Sequence, residues 1–237
     1  MFAYGLHNYF LNLYNNASAM LYQNLIAYDR WRMILDGLVI TLQITAGAAV
    51  LGIIIGLILT FMRLSGIRVL ELFAQVYISV IRGTPVITQL LILNFTIFAG
   101  MRGVGVLVGI VGFGINSGAY VCEIIRAGIL SVDKGQSEAG RSLGLSSRQT
   151  MSYIVMPQAI KNIIPTLANE SIILFKETSI VGIIGVADIT RVSQQIMSRT
   201  FNVTPMFVAA IIYFVIVAVM TFFLSRLEKK LRESDVR

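Results

Sequence analysis

The sequence has few of the residues that most catalytic and metal sites require. It contains one cysteine and one histidine among 237 residues, which excludes an internal disulfide and disfavours a zinc site. No Gly-Lys dipeptide occurs, so the chain lacks the phosphate-binding loop of ATPases. No serine–histidine–acid set is recognisable either. We therefore expect no catalytic residue, no metal site and no cofactor bound by this chain, which is not an enzyme by itself.

Charged residues are also scarce, at 13% of the chain, whereas 56% of the residues are hydrophobic and the mean hydropathy is +0.79. A soluble protein of this length cannot bury so much apolar side chain, so the chain is predicted to be an integral membrane protein. Its apolar runs are continuous rather than alternating, which favours helices over a closed barrel. The predicted fold class is an all-α membrane protein.

Long runs with few charges predict five transmembrane helices, each able to cross about 30 Å of hydrocarbon. Hydropathy supports the fourth least, because it contains Lys161, Pro165 and Glu170. The second is interrupted by Arg82-Gly83-Thr84-Pro85, where proline is expected to kink or unwind the helix. The predicted spans are residues 37–62, 71–98, 104–130, 157–175 and 205–224.

The flanking segments give the predicted domain organisation and orientation. Residues 1–34 form an N-terminal interfacial or extracytoplasmic segment, 35–227 the membrane domain and 228–237 a cytoplasmic tail. Basic residues are concentrated in and beside the 131–150 loop and in the tail, which the positive-inside rule makes cytoplasmic. The N-terminus is therefore expected outside and the C-terminus inside. This also explains the +7 net charge without a nucleic-acid partner.

Polar residues inside the predicted spans indicate a solute path, because a charge at mid-bilayer costs on the order of 2.5–3.5 kcal/mol and must pair or face water. A zwitterionic or cationic amino acid needs an anion for its amino group, which Glu170 and Asn169 could supply. Its carboxylate needs donors, and the broken helix around Arg82 and Thr84 could offer freed backbone N–H groups.

The third span adds Asn116, Tyr120 and Glu123 at helical spacing, so they are also candidates for the solute path. The alternative for Glu170, and still more for Arg82 and Glu123, is that these side chains pair with other protein groups and hold the helix bundle together.

The polar loop 131–150 contains the signals of a short surface helix. Residues 138–143 favour a helix, Gly144 is a left-handed stop, and Ser146 with Gln149 forms the pattern of a capping box that opens a second helix. A helix of about two turns on the surface has the size of a segment that fits a groove on a partner.

These residues resemble a known family. Glu138-Ala139-Gly140, followed by Gly144, Ile154 and Pro157, is similar to the cytoplasmic "EAA" loop of ABC-importer permeases. Gly140 stands where alanine is commonest in that family, and it weakens the helix by roughly 0.5–1 kcal/mol. Further motifs in order resemble the polar amino-acid subfamily, the histidine, glutamine, arginine and cystine type. These are Gly37 to Leu42, Ile81 to Pro85 with Gln89 to Leu91, Gly118 to Ile129, Asn169-Glu170 and Lys176 to Ser179.

The resemblance implies the transmembrane subunit of a type I importer in the bacterial inner membrane. It implies a dimer of ATP-binding subunits that hold ATP-Mg, a second permease or a copy of this chain, and an extracytoplasmic amino-acid-binding protein, all assembled at the lipid bilayer. An ion-gradient-driven amino-acid carrier and a membrane scaffold remain alternatives. The residues implied to couple to the ATPase are Glu138, Ala139, Gly140, Arg141, Leu143, Gly144 and Leu145.

Overall fold

The computed structural model describes residues 14–15 and 18–233, which form helices and connecting turns and no strand. The all-α prediction is confirmed. A 3₁₀ helix covers Thr178–Ile184, and π-helical stretches cover Leu93–Ile97 and Met151–Val155. The helices are α1 (Arg30–Leu64), α2 (Arg68–Arg82), α3 (Val86–Ile92), α4 (Gly105–Leu130), α5 (Lys134–Ser142), α6 (Ser147–Thr150), α7 (Met156–Glu177), α8 (Ile189–Thr200) and α9 (Thr204–Glu233).

Three helices of the described chain are long and apolar enough to cross a membrane, namely Ser18–Leu64, Gly105–Leu130 and Thr204–Leu231. A fourth is added if α2 and the helix after it, Val86–Ile97, make one span across a bend of 102°. The predicted break before Pro85 is thus confirmed. Helix α7 covers the predicted fourth span but is too polar to count as a membrane span by length and hydropathy. The count of five spans therefore stays a prediction.

The two ends of the chain are covered only in part. Residues 1–13, 16–17 and 234–237, which belong to the predicted N-terminal segment and cytoplasmic tail, lie outside the described residues. Before α1, a π-helical turn covers Tyr22–Ile26. The roles predicted for both ends therefore stay predictions.

Helices α1 and α4 form the central pair, and small residues let their backbones approach closely. A Cβ atom added at Gly52 would lie 2.9 Å from the Cβ of Ser117, and one added at Gly118 would lie 2.6 Å from the Cγ2 of Ile55. Such small-residue contacts are typical of helix pairs in membranes. Cys122 of α4 is fully buried and packs in one apolar cluster with Leu59 of α1.

At the extracytoplasmic end predicted from the sequence, a buried aspartate caps α8, and the residue after it bonds to α1. The Asp188 carboxylate accepts hydrogen bonds from the backbone N–H groups of Thr190 and Arg191, both at 3.0 Å. The backbone N–H of Ile189 lies 3.4 Å from the Oγ1 of Thr41 on α1. Burial raises the pKa of the Asp188 carboxyl, and the two N–H donors act in the opposite direction. The Asp188 cap and the contact with Thr41 therefore set the residue at which α8 begins.

Candidate functional site

The 131–150 loop has the predicted helix–turn–helix form, with an earlier start. Helix α5 begins at Lys134 because the Asp133 side chain accepts a hydrogen bond from the Gly135 N–H at 2.7 Å, a cap that the helix prediction for 138–143 did not use. The helix ends as predicted at Gly144, whose φ is +86°.

The second half of the loop is fixed by local hydrogen bonds. The predicted capping box is present: the Ser146 N–H donates to the Gln149 Oε1 at 2.9 Å, and the Gln149 N–H donates to the Ser146 Oγ at 3.3 Å. Arg141 donates to the Ser147 hydroxyl across the turn. The turn is therefore preorganised before any partner binds.

One face of the 131–150 loop packs against the rest of the chain, and the other face is exposed. Gly140 is buried, and a Cβ at this position would lie 2.6 Å from the Cδ1 of Ile154, so alanine here would need a small shift of that flexible side chain. Leu143 is 83% exposed. The remaining coupling candidates, Glu138, Ala139, Arg141 and Gly144, are also exposed and Leu145 is half-buried.

The break between α2 and α3 is bridged by Gln89. Its side-chain amide donates to the backbone carbonyl of Ile81 at 2.9 Å and to the Oγ1 of Thr84 at 2.8 Å. The Asn116 amide on α4 donates to the Gln89 Oε1 at 3.2 Å. Thr84 and Asn116, both predicted path residues, are therefore joined through Gln89. Gln89 stands in a family motif but is not among the path residues predicted from the sequence. Its partner Asn116 lies on another helix, so no local pattern indicates their contact.

Glu170 of α7 faces α4, where the Ser117 hydroxyl donates to its Oε1 at 3.3 Å. In the part of the chain that the structure describes, no ion pair includes Glu170. Asn169, predicted beside it, is exposed. Ser117 follows Asn116 directly in α4, so the Gln89 bridge and the Glu170 carboxylate meet neighbouring residues of one helix.

Glu123 is the centre of an arginine cluster, which we define as Glu123 with Arg63, Arg82 and Arg126. Its Oε1 accepts from Arg63 of α1, and its Oε2 accepts from the Nη2 of Arg126 at 2.8 Å. The Nη1 of Arg82, at the end of α2, lies 4.0 Å from Oε2. The guanidinium of Arg82 also lies 5.3 Å from the ring centre of Tyr120, within the range of a cation–π contact.

The arginine cluster supports the predicted alternative of structural pairing, because one carboxylate joins three helices. The Glu123 and Arg63 side chains are 20% and 21% exposed, but Arg82 is 44% exposed. Arg82, Tyr120 and Glu123 line an open cavity of about 460 Å³ together with Asn162 and Thr166 of α7. Arg82 is thus the member of the cluster that is most available to a solute.

The sequence model of the family described as "binding-protein-dependent transport system inner membrane component" matches residues 48–233. The chain belongs to this family. This inner membrane component is 41% identical over 205 residues to the arginine transport system permease protein ArtQ of Bacillus subtilis (strain 168), covering 85% of this chain and 94% of ArtQ. It is 39% identical over 207 residues to the putative glutamine transport system permease protein GlnP of Rickettsia felis, covering 86% and 95%.

A crystal structure of an amino acid ABC transporter with histidines matches this inner membrane component with a TM-score of 0.80 and 44% identity. The match covers 84% of this chain and 94% of that one. The resemblance to polar amino-acid ABC permeases is thus confirmed, and the carrier and scaffold alternatives gain no support. The chain is a multi-pass inner membrane permease subunit, a class that is not catalytic alone.

Proposed function

We propose that this chain is the transmembrane permease subunit of an ATP-driven importer of polar amino acids. Its similarity to the arginine transport system permease ArtQ and to the putative glutamine transport system permease GlnP supports an amino acid as the solute. The observation that carries the choice of solute is the Glu170 carboxylate, which lies two turns before the end of the 22-residue helix α7. It accepts a hydrogen bond from Ser117 and has no ion-pair partner among the described side chains. An amino group is the cation that such a carboxylate would bind on the path.

The proposed path continues from Glu170 along α4. The amide of Asn116 and the broken helix at Thr84 offer donors to the carboxylate group of the solute. Arg82 and Tyr120 line the cavity that follows. Asn169, which is exposed and lies next to Glu170 in the chain, is the remaining residue of the proposed solute path.

The energy for transport would come from a separate pair of ATP-binding subunits that hold ATP-Mg. The coupling loop, Glu138 to Leu145, is proposed to dock into them through its exposed face, with Leu143 as the apolar contact. A second permease or a copy of this chain and an extracytoplasmic binding protein would complete the complex.

The function is tested by transport with the complex reconstituted in liposomes, comparing wild type with Glu170→Gln. The substitution keeps the shape and removes the charge, so uptake should fall roughly 10–100-fold, the range for losing a charge-assisted hydrogen bond. The yield and thermal stability of the purified complex should not change. Ser117→Ala is the matched control: it removes the donor, keeps the carboxylate and should reduce uptake only a few-fold. Loss of folded protein in Glu170→Gln would instead make Glu170 a structural residue.

The proposed orientation, with the N-terminus outside and the C-terminus inside, has its own test. In a Cys122→Ala background, Ala3→Cys and Asp235→Cys are labelled in intact cells with a reagent that does not cross the membrane. Five spans predict that position 3 reacts and that position 235 reacts only after the cells are opened. Reaction of both positions from the same side would contradict five spans.

A further inference from the structure

Two adjoining cavities lie around the short 3₁₀ helix that follows α7, and no path or coupling residue predicted from the sequence lines either of them. One has a volume of about 490 Å³ and lies between this helix, the start of α8 and Ile87 of α3. The other has a volume of about 290 Å³ and lies between Lys176, the start of α8 and α9. Ser179 and Thr190 line both, so the two cavities share a wall.

The charged groups that line these cavities are all positive. Arg191 lines the larger cavity and Lys176 the smaller one, and no aspartate or glutamate of the described chain lines either. None of the ion pairs found among the described residues includes Lys176 or Arg191. Each of the four ion pairs that are found centres on Asp29 or Glu123 instead. The cavities therefore combine hydroxyl and amide groups with two cations that form no ion pair within the described part of the chain.

The position of Arg191 is set by the backbone around it. A Cβ atom at Gly182 would lie 3.0 Å from the Cβ of Arg191, so glycine leaves the space in which the arginine stem rests. The Asp188 carboxylate is occupied by the N–H groups of Thr190 and Arg191. Asp188 is thus engaged in capping α8 and forms no ion pair with Arg191, whose side chain lines the larger cavity.

The cavities also border on the solute path. Ile87 lies two residues after Pro85, at the start of the helix that follows the break. Val181 of the 3₁₀ helix is fully buried and packs with Leu90 and Phe113. Buried apolar side chains of this cluster therefore lie between the 3₁₀ helix and the helix that carries Gln89.

We infer that these cavities form an outer subsite that binds the carboxylate of an incoming amino acid, with Lys176 and Arg191 as charged donors and Ser179 as a neutral donor. The inference rests on the proposed function and adds to it the first binding step on the extracytoplasmic side. It also gives a role to the Lys176 to Ser179 motif, which neither the coupling loop nor the Glu170 site uses. The ligand class is an amino acid with a free α-carboxylate.

The test uses the full complex with its ATP-binding subunits in lipid nanodiscs, with Gln194→Cys, on α8 in the larger cavity, as a reporter in a Cys122→Ala background. The rate of reaction with an anionic methanethiosulfonate is measured with L-arginine, L-glutamine, L-histidine or L-cystine, and with the carboxamide form of each. At roughly twice its dissociation constant, a bound amino acid should slow labelling about threefold. The carboxamides should not, because they lack the carboxylate. Ile183→Cys, on the 3₁₀ helix in the larger cavity, is a second reporter if Gln194→Cys does not assemble.

Arg191→Gln and Lys176→Gln should each raise the dissociation constant of the amino acid about tenfold, the effect of losing one charge-assisted hydrogen bond. The same concentration should then slow labelling only about 1.2-fold. Arg199→Gln, in the same helix as Arg191 but outside both cavities, should leave the protection unchanged. The inference is overturned if the carboxamides protect equally, if protection survives both glutamine variants, or if it needs the binding protein. A wild-type complex that transports none of the four amino acids refutes the proposed function instead, whereas transport without protection refutes only the outer subsite.

Discussion

Replacing Glu123 with glutamine is expected to destabilise the permease by roughly 2–4 kcal/mol, because three guanidinium groups lose their common carboxylate inside the membrane domain. Arg63 and Arg126 donate directly to Glu123, and Arg82 lies 4.0 Å away. Glutamine keeps the size and one acceptor but removes the negative charge. The measurement is the unfolding midpoint of the purified chain in mild detergent, compared with wild type.

A double substitution separates charge balance from loss of shape. Arg63→Gln combined with Glu123→Gln removes one cation together with the anion, so it should recover part of the lost stability. The coupling free energy from this cycle should be 0.5 kcal/mol or more, as is usual for side chains in one network. If Glu123→Gln melts at the wild-type midpoint, the arginine cluster does not hold the three helices together.

Replacing Gly144 with valine is expected to reduce transport by about tenfold or more while the chain still inserts in the membrane. Gly144 has a φ of +86°, and in this region a residue with a Cβ atom costs roughly 1–2 kcal/mol, with β-branched residues the worst. The turn between α5 and α6 would shift, and with it the exposed Leu143. The measurements are ATP-driven uptake and co-purification of the ATP-binding subunit.

Gly144→Asn is the matched control for this change. Asparagine tolerates the left-handed conformation better than other residues with a side chain, and no atom lies within 4 Å of a Cβ built at this position. Transport should therefore be largely kept in this variant. If valine and asparagine behave alike and both retain the ATP-binding subunit, the conformation of this turn has no role in coupling.

The coupling loop could be predicted in detail because its signals are local. The left-handed glycine and the capping box act between residues no more than five apart in the chain, and both are present in the structure. The break before Pro85 was predictable for the same reason, since proline removes a backbone donor wherever it stands in a helix. The start of α5 was missed because the Asp133 cap lies outside the segment that favours a helix.

The arrangement of the path could not be predicted because it depends on packing between distant helices. Glu123 and Arg63 are 60 residues apart, and no sequence pattern favours Arg63 over Arg82 as the partner of Glu123. The Gln89 bridge and the outer cavities likewise exist only once α3, α4 and α8 are in place. Helix α7 forms with nearly the predicted bounds, but it is too polar to be recognised as a membrane span from hydropathy alone.

The central claim is that this permease works with a separate ATPase, and a pull-down from the native membrane tests it most directly. The tagged chain is extracted in mild detergent, and the proteins that co-purify with it are identified and counted. The account predicts an ATP-binding subunit in stoichiometric amount, with either a second permease or a second copy of this chain. A chain that purifies alone or only with itself, and still transports amino acids in liposomes without ATP, would contradict it.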